Sequence, residues 1–262
     1  MTTSTLGTWR NPPLAYVVAE LAISPHYGIG DVIPSIQQSL RKEYPRTVEV
    51  NEIVIDGGGS PAIQKIWRLL SEDQTCAVQL GPRAISIHAS SYTEFKEFLF
   101  RWNNILKAID DACLGAFAER AGLRYVDLIV PSEGHDTRDY LIEGLQGIQP
   151  PDGGSIQNSI WASGFLDNNY LVQARTASPS PAGMLFPPNF AAIPLQKQPI
   201  VVEAEKRIAQ NQAIGFIDTE CSYVVQKLFD TDELNAIFTT LHGKVSSTFK
   251  LLISKFAKDE WE

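Results

Sequence analysis

With 262 residues, 44% hydrophobic and 20% charged, the chain has the composition of an ordinary globular protein, long enough for one large domain or two small ones. Its formal net charge of −8 argues against a general affinity for DNA or RNA, because neutralising phosphates requires clustered Lys and Arg. Three widely spaced cysteines, Cys76, Cys113 and Cys221, form no CxxC pair; this excludes a disulfide framework and the common zinc spacings, and points to a reducing, cytoplasmic compartment.

The opening MTTSTLGTWRNPPL lacks the basic and apolar regions of a signal peptide. No apolar run reaches the roughly 18 residues that would span a bilayer, so no membrane association is expected.

In chain order, β-branched or alternating runs predict strands at 15–23, 47–55, 66–70, 76–80, 84–89, 123–130, 159–166, 170–176, 200–208 and 214–225. Short helices are expected at 33–44 and 137–147. Ser91 and Glu94 have the spacing of a capping box. Behind them Phe95, Phe98, Leu99, Trp102, Ile105, Leu106, Ile109, Cys113, Ala116 and Phe117 recur every three or four residues. That spacing predicts an amphipathic helix of about 25 residues. Asp230 and Glu233 offer a similar cap to a second long helix, striped by Leu234, Ile237, Phe238, Leu241, Val245, Phe249, Leu252, Ile253 and Phe256. Gly243 within it costs about 1 kcal/mol of helix propensity.

This order predicts an α+β fold in which antiparallel sheets pack on long amphipathic helices. Strand, short helix, strands and long helix occur twice, over 14–117 and 122–258. The expected units are therefore 1–120 and 121–262, either a duplication or one compact domain.

Two glycine-containing stretches invite a nucleotide reading. The stretch VIDGGGSP (54–61) lacks the lysine of a phosphate loop and leads into another strand, so it reads as a strand-to-strand loop. The stretch GKVSS (243–247) lies in mid-helix without the leading glycine. No cofactor is expected, and His26, His88, His135 and His242 have no second ligand at metal spacing.

The chief polar cluster is ERAGLRYVD (119–127), placed where the first long helix ends, with Gly122 as the C-cap. Along the following strand Arg124 and Asp127 face opposite ways. Arg124, on a face with Val126, Leu128 and Val130, is either paired with a buried carboxylate or directed into a pocket. His242 borders the apolar stripe of the second helix as a hydrogen-bonded core-edge residue or a catalytic one. Arg120, Arg124, Asp127 and His242 are thus candidates for a polar site or for structural pairs. The proline-rich segment 176–199 cannot be central strand. Its Met184, Phe186 and Phe190 are candidates for partner binding, unless they fold back onto the core.

These strings carry a resemblance. NPPL (11–14) leads into VVAE (17–20), SSY (90–92) precedes Phe95 and Phe98, and ERAGLRYVD is followed late in the chain by Leu241-His242, Phe249, Ile253-Ser254 and Trp261. Over nearly its whole length the chain resembles a sporadically distributed bacterial family of uncharacterised proteins. It departs from that pattern at Ala121, where a larger residue is usual, and at Ser254, where threonine is common. The resemblance implies an accessory or antiviral-defence role and supplies no catalytic residues. The leading expectation is a non-catalytic protein that binds a protein partner or self-associates. An enzyme with a sparse Arg/Asp/His site, and a chaperone- or antitoxin-like client binder, are the alternatives.

Overall fold

The computed structural model describes residues 9–55, 61–112, 115–148, 150–151 and 154–262. The glycine run of 56–60 and Cys113 lie outside the described residues.

Among the described residues nine strands form one antiparallel sheet: β1 (Leu14–Ile23), β2 (Arg46–Ile55), β3 (Pro61–Leu70), β4 (Cys76–Leu80), β5 (Ala84–Ala89), β6 (Phe117–Ile129), β7 (Ile160–Asp167), β8 (Tyr170–Ala177) and β9 (Gly215–Leu228). Their order is β2-β3-β4-β5-β1-β6-β9-β8-β7. The helices are α1 (Ile29–Leu40), α2 (Phe95–Asp111), α3 (Pro199–Ala209), α4 (Thr231–Leu252) and α5 (Lys255–Trp261). The fold is α+β, and β6 runs across the 120/121 division in a continuous sheet.

Alternation along each strand divides the sheet into two faces. Leu123, Tyr125 and Ile129 of β6 point into the main core, beneath α4, which lies across β6, β8 and β9. α2 packs on α4 and α1 on α2, with Trp102 meeting Phe238 edge-on at 5.3 Å. Val126 and Leu128 point to the opposite face, which α3 and the 178–198 segment cover in part.

Several sequence expectations are corrected. The 200–208 run is helix α3, not a strand. Pro199 starts it, Val201 and Ala204 bury one face, and Glu203 pairs with Arg207 one turn on, so helical spacing outweighs the β-branched Ile-Val-Val. The first long helix is 17 residues, and the Ser91–Glu94 capping box does not form. Glu94 itself is the N-cap, without a side-chain hydrogen bond. Ala116 and Phe117 have already left the helix; the chain turns at Gly115 (φ +57°), and Phe117 begins β6. Gly122 is therefore not a C-cap but the middle of a strand. Asp230 does cap α4, accepting from Glu233 N–H at 2.9 Å. The second stripe is interrupted at Ile253, and Phe256 belongs to α5, capped by Ser254. The expected helix at 137–147 is two 3-10 turns, Thr137–Tyr140 and Glu143–Leu145.

Candidate functional site

The face opposite α4 carries a polar band that crosses the strands. Residues paired across an antiparallel ladder share a face. Arg124 of β6 is in register with Val18 of β1, which pairs with His88 of β5; on its other side it pairs with Glu220 of β9. The adjacent row runs from Gly122 through Glu20 and Ser86 to Gln79 and Arg68. Strand pairing thus gathers residues up to 202 positions apart, from Val18 to Glu220. They line a cavity of about 520 Å³, roofed by Asn189 to Ile193.

Its charges alternate. Arg68 Nη2 donates to Glu52 at 3.0 Å and its Nε to Gln79 at 2.9 Å. Arg120 Nη2 donates to Glu20 at 2.7 Å, while its Nη1 stands 3.8 Å from Glu220. Arg120 lies over the bare backbone of Gly122, where a Cβ would be 3.6 Å from Nη1. Arg124 forks onto Asp218 through Nε (2.7 Å) and Nη2 (2.8 Å), and its guanidinium lies 5.0 Å from the centre of the Phe190 ring. Arg175 Nη1 reaches the same carboxylate at 2.9 Å. Of the two sequence readings of Arg124, the buried carboxylate partner is present and the side chain also lines the cavity.

At the cavity floor His88 Nε2 is 3.0 Å from Ser86 Oγ, and Nδ1 is 3.3 Å from the Tyr16 hydroxyl. The Tyr16 hydroxyl in turn accepts from Ile193 N–H at 3.1 Å, tying the roof to the floor. Burial, and then the positive Arg68, push the imidazole down to about 3. A serine beside a histidine resembles a nucleophile and base, but proton transfer would create an imidazolium that this environment disfavours, with a phenol rather than a carboxylate behind it. The cavity lining is dominated by charged and polar side chains.

Asp127 and His242 lie on the other side of the sheet. The Tyr125 hydroxyl meets His242 Nδ1 at 2.9 Å and the Tyr92 hydroxyl at 3.1 Å, and the His242 ring stacks on Phe95 at 3.9 Å. Burial holds His242 down at about 4. Asp127 is buried with neither carboxylate oxygen hydrogen-bonded. Burial, with the negative Asp218 as a second cause, raises its carboxyl well above the ordinary range. The sheet therefore separates Arg120 and Arg124 from Asp127 and His242.

Met184, Phe186 and Phe190 fold back over the sheet and are half-buried. Phe190 and Phe186 meet Tyr16 edge-on at 5.1 and 6.3 Å, and Met184 packs beside the cluster of Val201 and Phe216.

Sequence reasoning missed Glu20, Arg68, Ser86, His88, Asp218 and Glu220. A signal was present: AISIHA places Ser86 and His88 on one face and Ile85 and Ile87 on the other. Which strands would lie beside it was not readable locally. No group of three His, Cys, Asp or Glu among the described residues could hold a metal ion. No helix among them is long and apolar enough to cross a membrane.

No protein-family model matches this chain, and no curated protein sequence matches it significantly.

Proposed function

We propose that this is a non-catalytic partner-binding protein, the accessory role that the family resemblance implies, and that the cavity over β1 and β6 receives an acidic group of a protein partner. The observation that carries the reading is Arg120. Its side chain is 42% exposed at the cavity mouth, and its looser contact, 3.8 Å to Glu220, leaves Nη1 able to take a carboxylate in a charge-assisted bond. The more enclosed Arg124 and Arg68 stay with Asp218, Glu52 and Gln79 and shape the wall. The low basicity of His88 supports binding over catalysis. The polar lining favours a charged group over the apolar client segment of a chaperone. Buried free thiols at Cys76 and Cys221 fit a cytoplasmic setting.

The two halves are further inferred to be copies of one unit. Supporting this, β1 and β6 pair at the sheet centre, β5 flanks β1 and β9 flanks β6, and β5 and β9 are each followed by a long apolar-striped helix. The cavity then sits on the joint between copies.

The test is affinity capture from the native host with wild-type, Arg120→Ala and Ser86→Ala chains. A partner kept by wild type and Ser86→Ala but lost with Arg120→Ala supports the reading. Equal capture by all three, or turnover of a substrate abolished by Ser86→Ala, overturns it.

A further inference from the structure

The two edges of the sheet differ in chemistry. An edge strand exposes unpaired backbone groups, and proteins normally blunt it with charge, proline or a bulge. β2, at one edge, carries Arg46, Glu49 and Glu52, with Glu49 bridged to Lys65 at 2.9 Å. β7, at the other, reads IWASGFLD: residues 160–166 contain no charge and no proline, in a chain of net charge −8. Its ladder with β8 is regular, and nothing among the described residues pairs with its outer edge. Ile160 is 63% exposed, Leu166 74% and Phe165 45%.

The same segment is self-complementary. Positions equidistant from Ser163 match in class: Ala162 with Gly164, Trp161 with Phe165, Ile160 with Leu166. The members of each pair also share a face. Ile160 and Leu166 are in register with Ala177 and Leu171 on the cavity face, and Trp161 and Phe165 with Thr176 and Val172 on the α4 face. A two-fold interface requires that residue i meet j while j meets i. Antiparallel pairing about an axis along the sheet normal meets that requirement and keeps the faces aligned. We propose that two copies of this chain dimerise edge to edge through β7, with the two-fold axis at Ser163, joining their sheets into one.

This register also settles the charges. Asp167, held by Lys244 of its own chain, comes opposite Ser159, so no like charges meet. A slip of two residues toward the C-terminus sets Trp161 against Asp167. A slip the other way sets Ile160 against Gly164 and leaves Leu166 opposite Asn158. One short strand pair is a small interface, so the dimer forms at micromolar rather than nanomolar concentration.

Sedimentation of the purified full chain should give a concentration-dependent species of twice 29.0 kDa. Ile160→Lys with Leu166→Lys puts like charges opposite each other twice across the axis and should weaken association by about tenfold or more. Ile160→Lys with Leu166→Glu puts opposite charges in the same places and should restore it. In a Cys113→Ser background, whose remaining Cys76 and Cys221 are buried, mild oxidation should cross-link a Ser163→Cys chain to itself and leave the chain without it uncross-linked. Circular dichroism checks that each variant is folded. A wild type that stays monomeric at the highest soluble concentration overturns the proposal. So does a dimer untouched by the double lysine variant, or one that Ser163→Cys fails to cross-link.

Discussion

Asp218 and Arg124 form a two-point fork: Oδ1 takes Nε at 2.7 Å and Oδ2 takes Nη2 at 2.8 Å, on a carboxylate with no exposed surface. Arg175 adds a third bond to Oδ2. Two arginines around one carboxylate explain how Asp218 can be fully buried as an anion beneath the 186–193 segment, with Glu220 4.0 Å from Arg124 as a second negative group.

Removing that carboxylate takes the shared partner from two partly buried guanidinium groups, leaving Arg124 with Asn189 Oδ1 at 3.1 Å and Glu220 at 4.0 Å. Asp218→Ala should cost about 3–5 kcal/mol, as for other broken buried pairs. Urea denaturation measures it. A loss below about 1 kcal/mol would mean that solvent, not Asp218, satisfies the arginines.

His242 should make stability depend on pH. Its folded value of about 4 lies below the ordinary 6.5, so between these the unfolded chain binds the extra proton and stability falls on acidification. Below about 4 both states are protonated and its contribution is level. Relative to wild type, His242→Gln should gain about 1.4 kcal/mol per pH unit as pH drops from 6.5 towards 4. Parallel pH profiles for the two proteins would contradict the buried placement.

Asp127 acts with the opposite sign. Its folded value is raised, so its stabilising contribution is present below 3.8 and is lost as pH rises through the raised value. Asp127→Asn keeps the shape and removes the titration. The variant should gain stability relative to wild type as pH rises above 3.8, measured by guanidinium denaturation at several pH values. A constant difference across pH would show that Asp127 does not titrate in this range.

The folded-back roof can be checked by truncation. Full burial makes Phe→Ala cost about 3–5 kcal/mol. Phe190 and Phe186 are half-buried on Tyr16, so each change should cost about 1–3 kcal/mol, visible as a melting temperature lower by several degrees. An unchanged melt would mean that the segment lies free of the sheet.

Leu241, on the inward face of α4, is fully buried, and Leu241→Ala should cost about 2–5 kcal/mol through lost contacts and the cavity left behind. Thermal unfolding with no change would remove α4 from the core.

The periodic elements were legible because their cause is local. The apolar residues from Phe98 to Ile109 and from Leu234 to Leu252 recur with the helical period, and AISIHA alternates as a strand with one polar face. The same local rules misread 200–208, where the β-branched Ile-Val-Val hid a helix begun by Pro199. They also ran α2 on through Ala116 and Phe117, because a hydrophobic residue fits a helix stripe or a strand equally well. What no local rule contains is strand order. The sequence leaves Arg124 either paired with a buried carboxylate or directed into a pocket, and only the pairing of β6 with β9 supplies Asp218, 94 residues away. Alternation along β6 already sets Asp127 on the face opposite Arg120 and Arg124, whereas only the packing of α4 on that face brings His242 to Tyr125, since local alternation sets which face a residue takes and tertiary packing sets what it meets there.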